Sequence, residues 1–288
     1  MSPKPVSLGK KFRANTLGYG YSQIATLAVQ LALVPFFLSI WGKEVYADWL
    51  VITGIPTFLA LLDLGVAQSS ANRATMLAAA GNWNGARRSL QTAAVSSLCV
   101  GGIIILIVFS LTSLINIPSH LNLKSISNIE AEKILLVIST GLSVHLLTGP
   151  VDAWFRVIDR AATGAFLLAN RRIVDVIVSI AVLLSGGDPL QLAVTLLIFQ
   201  VISLIVCINL ANKFSTERIL GISEASWSEW KLTIKPALAY TAFPISQALT
   251  LQGGVQVLNQ IGNADTIVAF TMARTLMRLV LQDRKSVV

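Results

Sequence analysis

Apolar residues run along this chain in long blocks separated by short polar connections, with no strand-like alternation. Four blocks contain no charged residue at all: Ala14–Gly42, Ser89–Leu123, Pro189–Asn212 and Pro236–Ala264, of 29, 35, 24 and 29 residues. A bilayer-spanning helix needs about 20 mostly apolar residues, so each block is long enough for one helix and too short for two with a loop. Four further blocks are apolar with isolated charges. Val45–Ser70 holds Asp48 near its start and Asp63 deep inside, and Ile134–Ile158 holds Asp152 and Arg156. Ala165–Ser185 holds Arg171, Arg172 and Asp175, and Thr266–Gln282 holds Arg274 and Arg278. Backbone polar groups cannot be left unpaired in lipid, so these too are expected to be helices, with their charges facing protein or water. The pattern predicts an all-α, polytopic membrane helix bundle of about eight transmembrane helices.

The connections leave no room for a soluble domain. Gly186-Gly187-Asp188-Pro189 reads as a tight turn, and the longest connection, Lys213–Lys235, reads as a surface helix with Trp227 and Trp230 at headgroup level. The apolar block after the basic N-terminus is too long for a signal peptide and lacks a small-residue cleavage site, so it is expected to stay in the mature chain.

Composition agrees with this reading. The 288 residues are 54% hydrophobic and 12% charged, with mean hydropathy +0.71, whereas soluble domains carry about 25% charged residues. The net charge of +8 would suggest nucleic acid in a soluble protein, but no basic stretch is interleaved with stacking aromatics. Its distribution is a topology signal instead. With the connections assigned alternately to two sides, 15 Lys and Arg fall on the N-terminal side, and only Lys43, Lys124 and Lys133 fall on the other. The positive-inside rule then predicts a cytoplasmic N-terminus. Cys99 and Cys207 lie inside spans and are expected to be buried thiols acting as small apolar groups.

Charges inside the membrane are costly, at about 2.5–3.5 kcal/mol each on insertion scales, so they need pairing or a function. His145, Asp152 and Arg156 are spaced i, i+7, i+11 on one helical face, with Pro150 loosening the helix among them. Asp152–Arg156 and Asp175–Arg171 can each neutralise themselves within one helix. Arg274 and Arg278 share a face with no acid beside them and are candidates for an internal anion. Asp63 is either a bundle contact or an ion or proton site. Polar stripes on the first span (Tyr19, Gln23, Thr26, Gln30) and the seventh (Gln252, Gln256, Asn259) fit interhelical bonding or a hydrated cavity. There is no Gly-rich phosphate loop, metal-spaced His/Cys set or GxSxG, and His120 and His145 lie on separate segments. Neither a cofactor nor a metal is expected, and the chain does not read as an enzyme.

Several segments carry a family resemblance. They are Leu251-Gln252-Gly253-Gly254-Val255, Gly262-Asn263-Ala264-Asp265, the run Thr271–Gln282, Leu62-Asp63-Leu64-Gly65 with Asn72-Arg73, and Arg13-Ala14-Asn15. Together they resemble the polysaccharide-export branch, the Wzx-like O-antigen flippases, of the multidrug/oligosaccharidyl-lipid/polysaccharide transporter superfamily. The resemblance implies two six-helix lobes: residues 1–212 as the N-terminal lobe, 213–235 as a cytoplasmic linker and 236–282 as the start of the second lobe. It implies movement of undecaprenyl-diphosphate-linked oligosaccharide across the bacterial inner membrane by alternating access, for O-antigen or exopolysaccharide synthesis. Lipid-linked oligosaccharide, membrane lipids and other polysaccharide-assembly membrane proteins would be its partners.

The diphosphate would need arginines, namely Arg274, Arg278, Arg156 and Arg171 or Arg172, and the sugars would need Gln23, Gln252 and Gln256. Asp63 and Asp152 are the candidates for coupling to an ion or proton. A weak repeat lays Leu38–Gly42 on Leu258–Gly262, 220 residues apart. Two such lobes need twelve spans, so the chain is expected to be a C-terminally truncated piece, with residues 283–288 matching a translated sequencing-adapter end. The rivals are a multidrug or lipid II-type exporter of the same superfamily and, from another class, a polysaccharide polymerase or ligase. The last of these should have a large periplasmic loop, and the stretch from Pro118 to Lys133 is small.

Overall fold

The computed structural model describes residues 33–63, 65–115, 117–215 and 221–283. Among these, ten α-helices and no strand are present. They are α1 (Gly42–Leu59), α2 (Val66–Ala79), α3 (Trp83–Ile115), α4 (Asn128–Leu146), α5 (Thr148–Val157), α6 (Ala161–Leu184), α7 (Pro189–Phe214), α8 (Trp227–Ala248), α9 (Gly254–Ile261) and α10 (Ala264–Asp283). Residues 33–40 are also helical. By length and composition, α3, α4 joined to α5, and α7 can each cross a membrane. At 1.5 Å per residue, α3 is about 50 Å long. Its Leu98, Leu106, Phe109 and Leu114 are exposed, as are Ile198, Ile202 and Ile205 of α7, giving the bundle an apolar outer surface suited to lipid.

Two expected spans are broken. The second ends its α-helix at Leu59, tightens to a 3-10 turn over Ala60–Asp63 and restarts at Val66. Gly65 makes the restart possible with φ of +67°, a left-handed conformation that costs other residues a steric clash. Asp63 therefore sits at a helix break, not deep inside a continuous span. The fourth span breaks at Leu147, between α4 and α5. Pro150 lies in the first turn of α5 and has no N–H to donate to the Leu146 carbonyl four residues back, so the break falls where the proline was expected to loosen the span.

The seventh span passes through a π-helical segment, Leu249–Gly253, between α8 and α9. Trp227–Ala248 is one helix, so the expected surface helix is the beginning of the seventh span's own helix.

Connections gather at two ends of the bundle, as alternating spans require. At one end Trp41 Nε1 donates to Gly187 O at 2.9 Å, and the Asp48 carboxylate accepts from the backbone N–H groups of Lys124, Ser125 and Ile126 at 3.0, 2.7 and 2.9 Å. At the other, basic end Arg73 pairs with Glu229, Arg87 with Glu224 at 3.3 Å, and Arg160 stacks over Phe214. Asp48 is thus a loop anchor. Arg171 is the eleventh residue of the 24-residue α6, about 15 Å from its start, and so belongs to the middle of the helix rather than to the basic end.

Two apolar clusters hold the helices together. One, toward the Trp41 end, joins Val51, Ile52, Ile134, Leu135, Leu183 and Leu192 with Phe37, Tyr46 and Trp49. The other, toward the basic end, packs Trp154, Phe155 and Leu90 against Ala71, Ala74, Ala78 and Ala86. These small residues let α2 and α3 approach closely, which is how helices associate in lipid. Cys99 is exposed and Cys207 half-buried. The first is not the buried thiol expected, because its face of α3 turns outward.

Candidate functional site

The breaks in the second and fourth spans face one another, and a polar cavity of about 270 Å³ lies between them. Asp63 and Gln68 line it from one side, and His145, Thr148, Asp152 and Arg156 from the other. The i, i+7, i+11 face thus survives the interruption at Leu147. Asp152 and Arg156 pair at 3.3 Å within α5, and the Nε of Arg156 is buried without a hydrogen-bond partner among the described residues.

A second cavity, of about 310 Å³, opens on the opposite side of His145. Trp49 and Thr53 of α1, Gly141 of α4, Arg171 and Asp175 of α6, and Gln200 of α7 line it. His145 is the shared wall, and its Nδ1 lies 2.6 Å from an Nη of the buried Arg171. A guanidinium has only donors, so the imidazole nitrogen must be the acceptor. Arg171 and Asp152 also line a smaller cleft with Ser203 and Cys207. One continuous polar system therefore runs from Asp63 through Asp152, Arg156, His145 and Arg171 to Asp175 and Gln200. Discontinuous helices of this kind are where membrane transporters place substrate and ion sites, because the freed backbone lines a cavity.

Four sequence candidates meet here: Asp63, Asp152, Arg156 and Arg171. Arg172, half-buried, lines none of the three cavities. Gln256 donates from Nε2 to Val51 O at 2.9 Å, and the Gln252 side chain packs at Gly54. Both amides therefore sit in a seam between α1 and the seventh span. Arg274 lies on α10, its guanidinium carbon 6.0 Å from the Phe270 ring centre. The side chain of Arg278 and the whole of Gln23 lie outside the described residues.

Gln200 was not singled out from sequence. It sits in a charge-free block, so a search for charges passes over it, and the cue was an amide at the middle of an apolar span. Its Oε1 is buried without a hydrogen-bond partner among the described residues, close to Gly141, where an added Cβ would lie 2.7 Å away.

The seam extends to the end of the bundle. Asn259 donates to Leu121 O, Asn122 to Gln260 Oε1 at 3.0 Å, and Lys43 to Asp265 at 2.9 Å. The Asp265 carboxylate, by hydrogen bond and charge, raises the exposed Lys43 above its ordinary value.

No known family model matches the sequence, and neither does any curated protein. Among solved structures, the fold is similar to a multidrug resistance MATE family transporter of the MOP superfamily in an inward-facing conformation, with a TM-score of 0.71 at 14% identity. The match covers 88% of this chain and 58% of that one. A second solved chain, described only as protein A, matches with a TM-score of 0.74 at 14% identity, over 97% of this chain and 63% of that one. The chain thus spans about three fifths of the length of these structures and shares their fold.

Proposed function

We propose that the protein is a membrane transporter that moves undecaprenyl-diphosphate-linked oligosaccharide from the cytoplasmic to the periplasmic leaflet of a bacterial inner membrane, with its N-terminus in the cytoplasm. The observation that carries this reading is the partly buried Arg156, opening into the cavity between the two helix breaks, and the buried Arg171, opening into the cavity on the other side of His145. A diphosphate is held best by the forked donors of arginine, and Gln200 adds an amide for sugar hydroxyls. Arg274, Arg278, Arg172, Gln23, Gln252 and Gln256 complete the proposed cargo path as the lobes part. The prenyl tail stays in lipid, and no bond is made or broken.

Asp63 and Asp152 are the proposed coupling sites. Each lines the cavity that His145 separates from Arg171 and Asp175, so a proton or cation arriving there changes the field acting on the guanidiniums. The seam of Gln256, Asn259 and Lys43–Asp265 holds the lobes together at the end away from the basic loops. Alternating access then requires it to open.

One observation favours a second reading, a multidrug exporter. Asp63, Asp152 and Asp175 line these cavities against Arg156 and Arg171, a set that can also hold an organic cation. Complementation separates the two. The complete gene should restore surface polysaccharide to a strain lacking its O-antigen flippase, and Arg171→Gln should abolish the rescue. Drug resistance without rescue would establish the exporter.

A further inference from the structure

An apolar groove of about 410 Å³ lies outside the polar system and shares no residue with it. Thr92, Ser96, Cys99 and Ile103 form its floor along one face of α3, at the i, i+4, i+7, i+11 spacing of a helical stripe. Eleven residues at 1.5 Å each make this floor about 16 Å long, running from the basic end toward the middle of the helix. Trp227 and Trp230 close the basic end, stacked with ring centres 4.5 Å apart and planes 6° from parallel. Paired tryptophans at the mouth of an apolar trough mark the level of the headgroups.

Charge selects among possible occupants. Arg88 lies one helical turn before Thr92 and is exposed. Lys231 is exposed too, its Nζ 5.7 Å from the Trp227 ring centre. The two acids nearby are already neutralised, Glu224 by Arg87 and Glu229 by Arg73. The mouth is therefore cationic, its hydroxyls (Thr92, Ser96, Ser226) lie beside it, and the trough beyond is apolar. We propose that the groove binds an anionic phospholipid of the leaflet at the basic end, its phosphate between Arg88 and Lys231 and one acyl chain along α3. This site is independent of what the transporter carries.

The test is fluorescence quenching by brominated lipids, with the complete protein in vesicles. The signal from the groove is the difference between the native chain and Trp227→Phe/Trp230→Phe. Brominated phosphatidylglycerol should quench that signal at a several-fold lower mole fraction than brominated phosphatidylcholine. Arg88→Gln/Lys231→Gln should bring the two lipids to parity. If that variant does not fold, the comparison of the two lipids on the native chain decides alone. Equal quenching by both lipids, or quenching by neither because protein covers the groove, overturns the proposal. A phosphatidylglycerol preference that survives the double substitution overturns it as well. Protection by equimolar prenyl diphosphate would assign the groove to cargo and overturn the phospholipid.

Discussion

Arg171 donates a guanidinium hydrogen to Nδ1 of His145 across 2.6 Å, joining the middle of α6 to the last turn of α4. The contact requires a neutral imidazole at that nitrogen, since a protonated one would set donor against donor and cation against cation. Hydrogen bonds to charged groups contribute about 1.5–3 kcal/mol. A double-mutant cycle of Arg171→Leu and His145→Leu on thermal unfolding should therefore show coupling of about 1 kcal/mol or more. His145→Gln, which keeps an acceptor, should retain most of the native stability. Strict additivity would show that the two side chains do not meet.

Asp48 is the most heavily bonded carboxylate among the described residues, with three backbone N–H groups of the loop at 124–126 directed at it. Asp48→Ala would leave those donors unpaired in a buried position and should cost about 3 kcal/mol, read from thermal unfolding in detergent. Transport per folded molecule should change little, because Asp48 lines neither polar cavity.

The Lys43–Asp265 pair joins residues 222 positions apart at the outer edge of the seam. With Cys99 and Cys207 first replaced by serine, Lys43→Cys/Asp265→Cys should be bridged by a short bis-maleimide, and bridging should stop transport. Transport at the full rate in a quantitatively bridged sample would show that the seam need not open. The native pair should be insensitive to pH across the physiological range. A Lys43 ammonium held above its ordinary value of 10.5 contributes fully below that value and is lost only as pH rises through the raised one.

Gly141 leaves room for the Gln200 amide. Gly141→Ala places a methyl 2.7 Å from Gln200 Oε1, so the amide must swing into the cavity. The variant should fold normally and transport several-fold more slowly, while adding Gln200→Ala should relieve the block but not restore the native rate if the amide binds cargo. Native transport by Gly141→Ala would remove this cavity from the cargo path.

Most of the bundle was legible in the spacing of charges, because lipid forbids unpaired backbone and apolar blocks of span length have few other solutions. The helix breaks were legible in part. The one at Gly65 depends on a positive φ that glycine permits but does not dictate, whereas the one at Leu147 lies just before Pro150, the residue expected to loosen that span. The face shared by His145, Asp152 and Arg156 was readable because the break preserves its direction. Arg171 interacts electrostatically with Asp175, the acid four residues away on its own helix, as its spacing suggests, but only tertiary packing shows that the guanidinium also reaches His145. Of the weak repeat, Leu38–Gly42 ends on the first residue of α1, whereas Leu258–Gly262 ends between α9 and α10.

The central claim is that Arg156 and Arg171, lining the two cavities that meet at His145, carry a diphosphate-linked cargo. It is tested most directly by reconstituting the complete protein in vesicles with fluorescent undecaprenyl-diphosphate oligosaccharide and following its arrival in the opposite leaflet. The native protein should flip the lipid, and Arg171→Gln with Arg156→Gln should slow it at least tenfold while leaving the fold intact. Flipping at the native rate by that double variant, or export of a cationic dye with no flipping at all, would contradict the account.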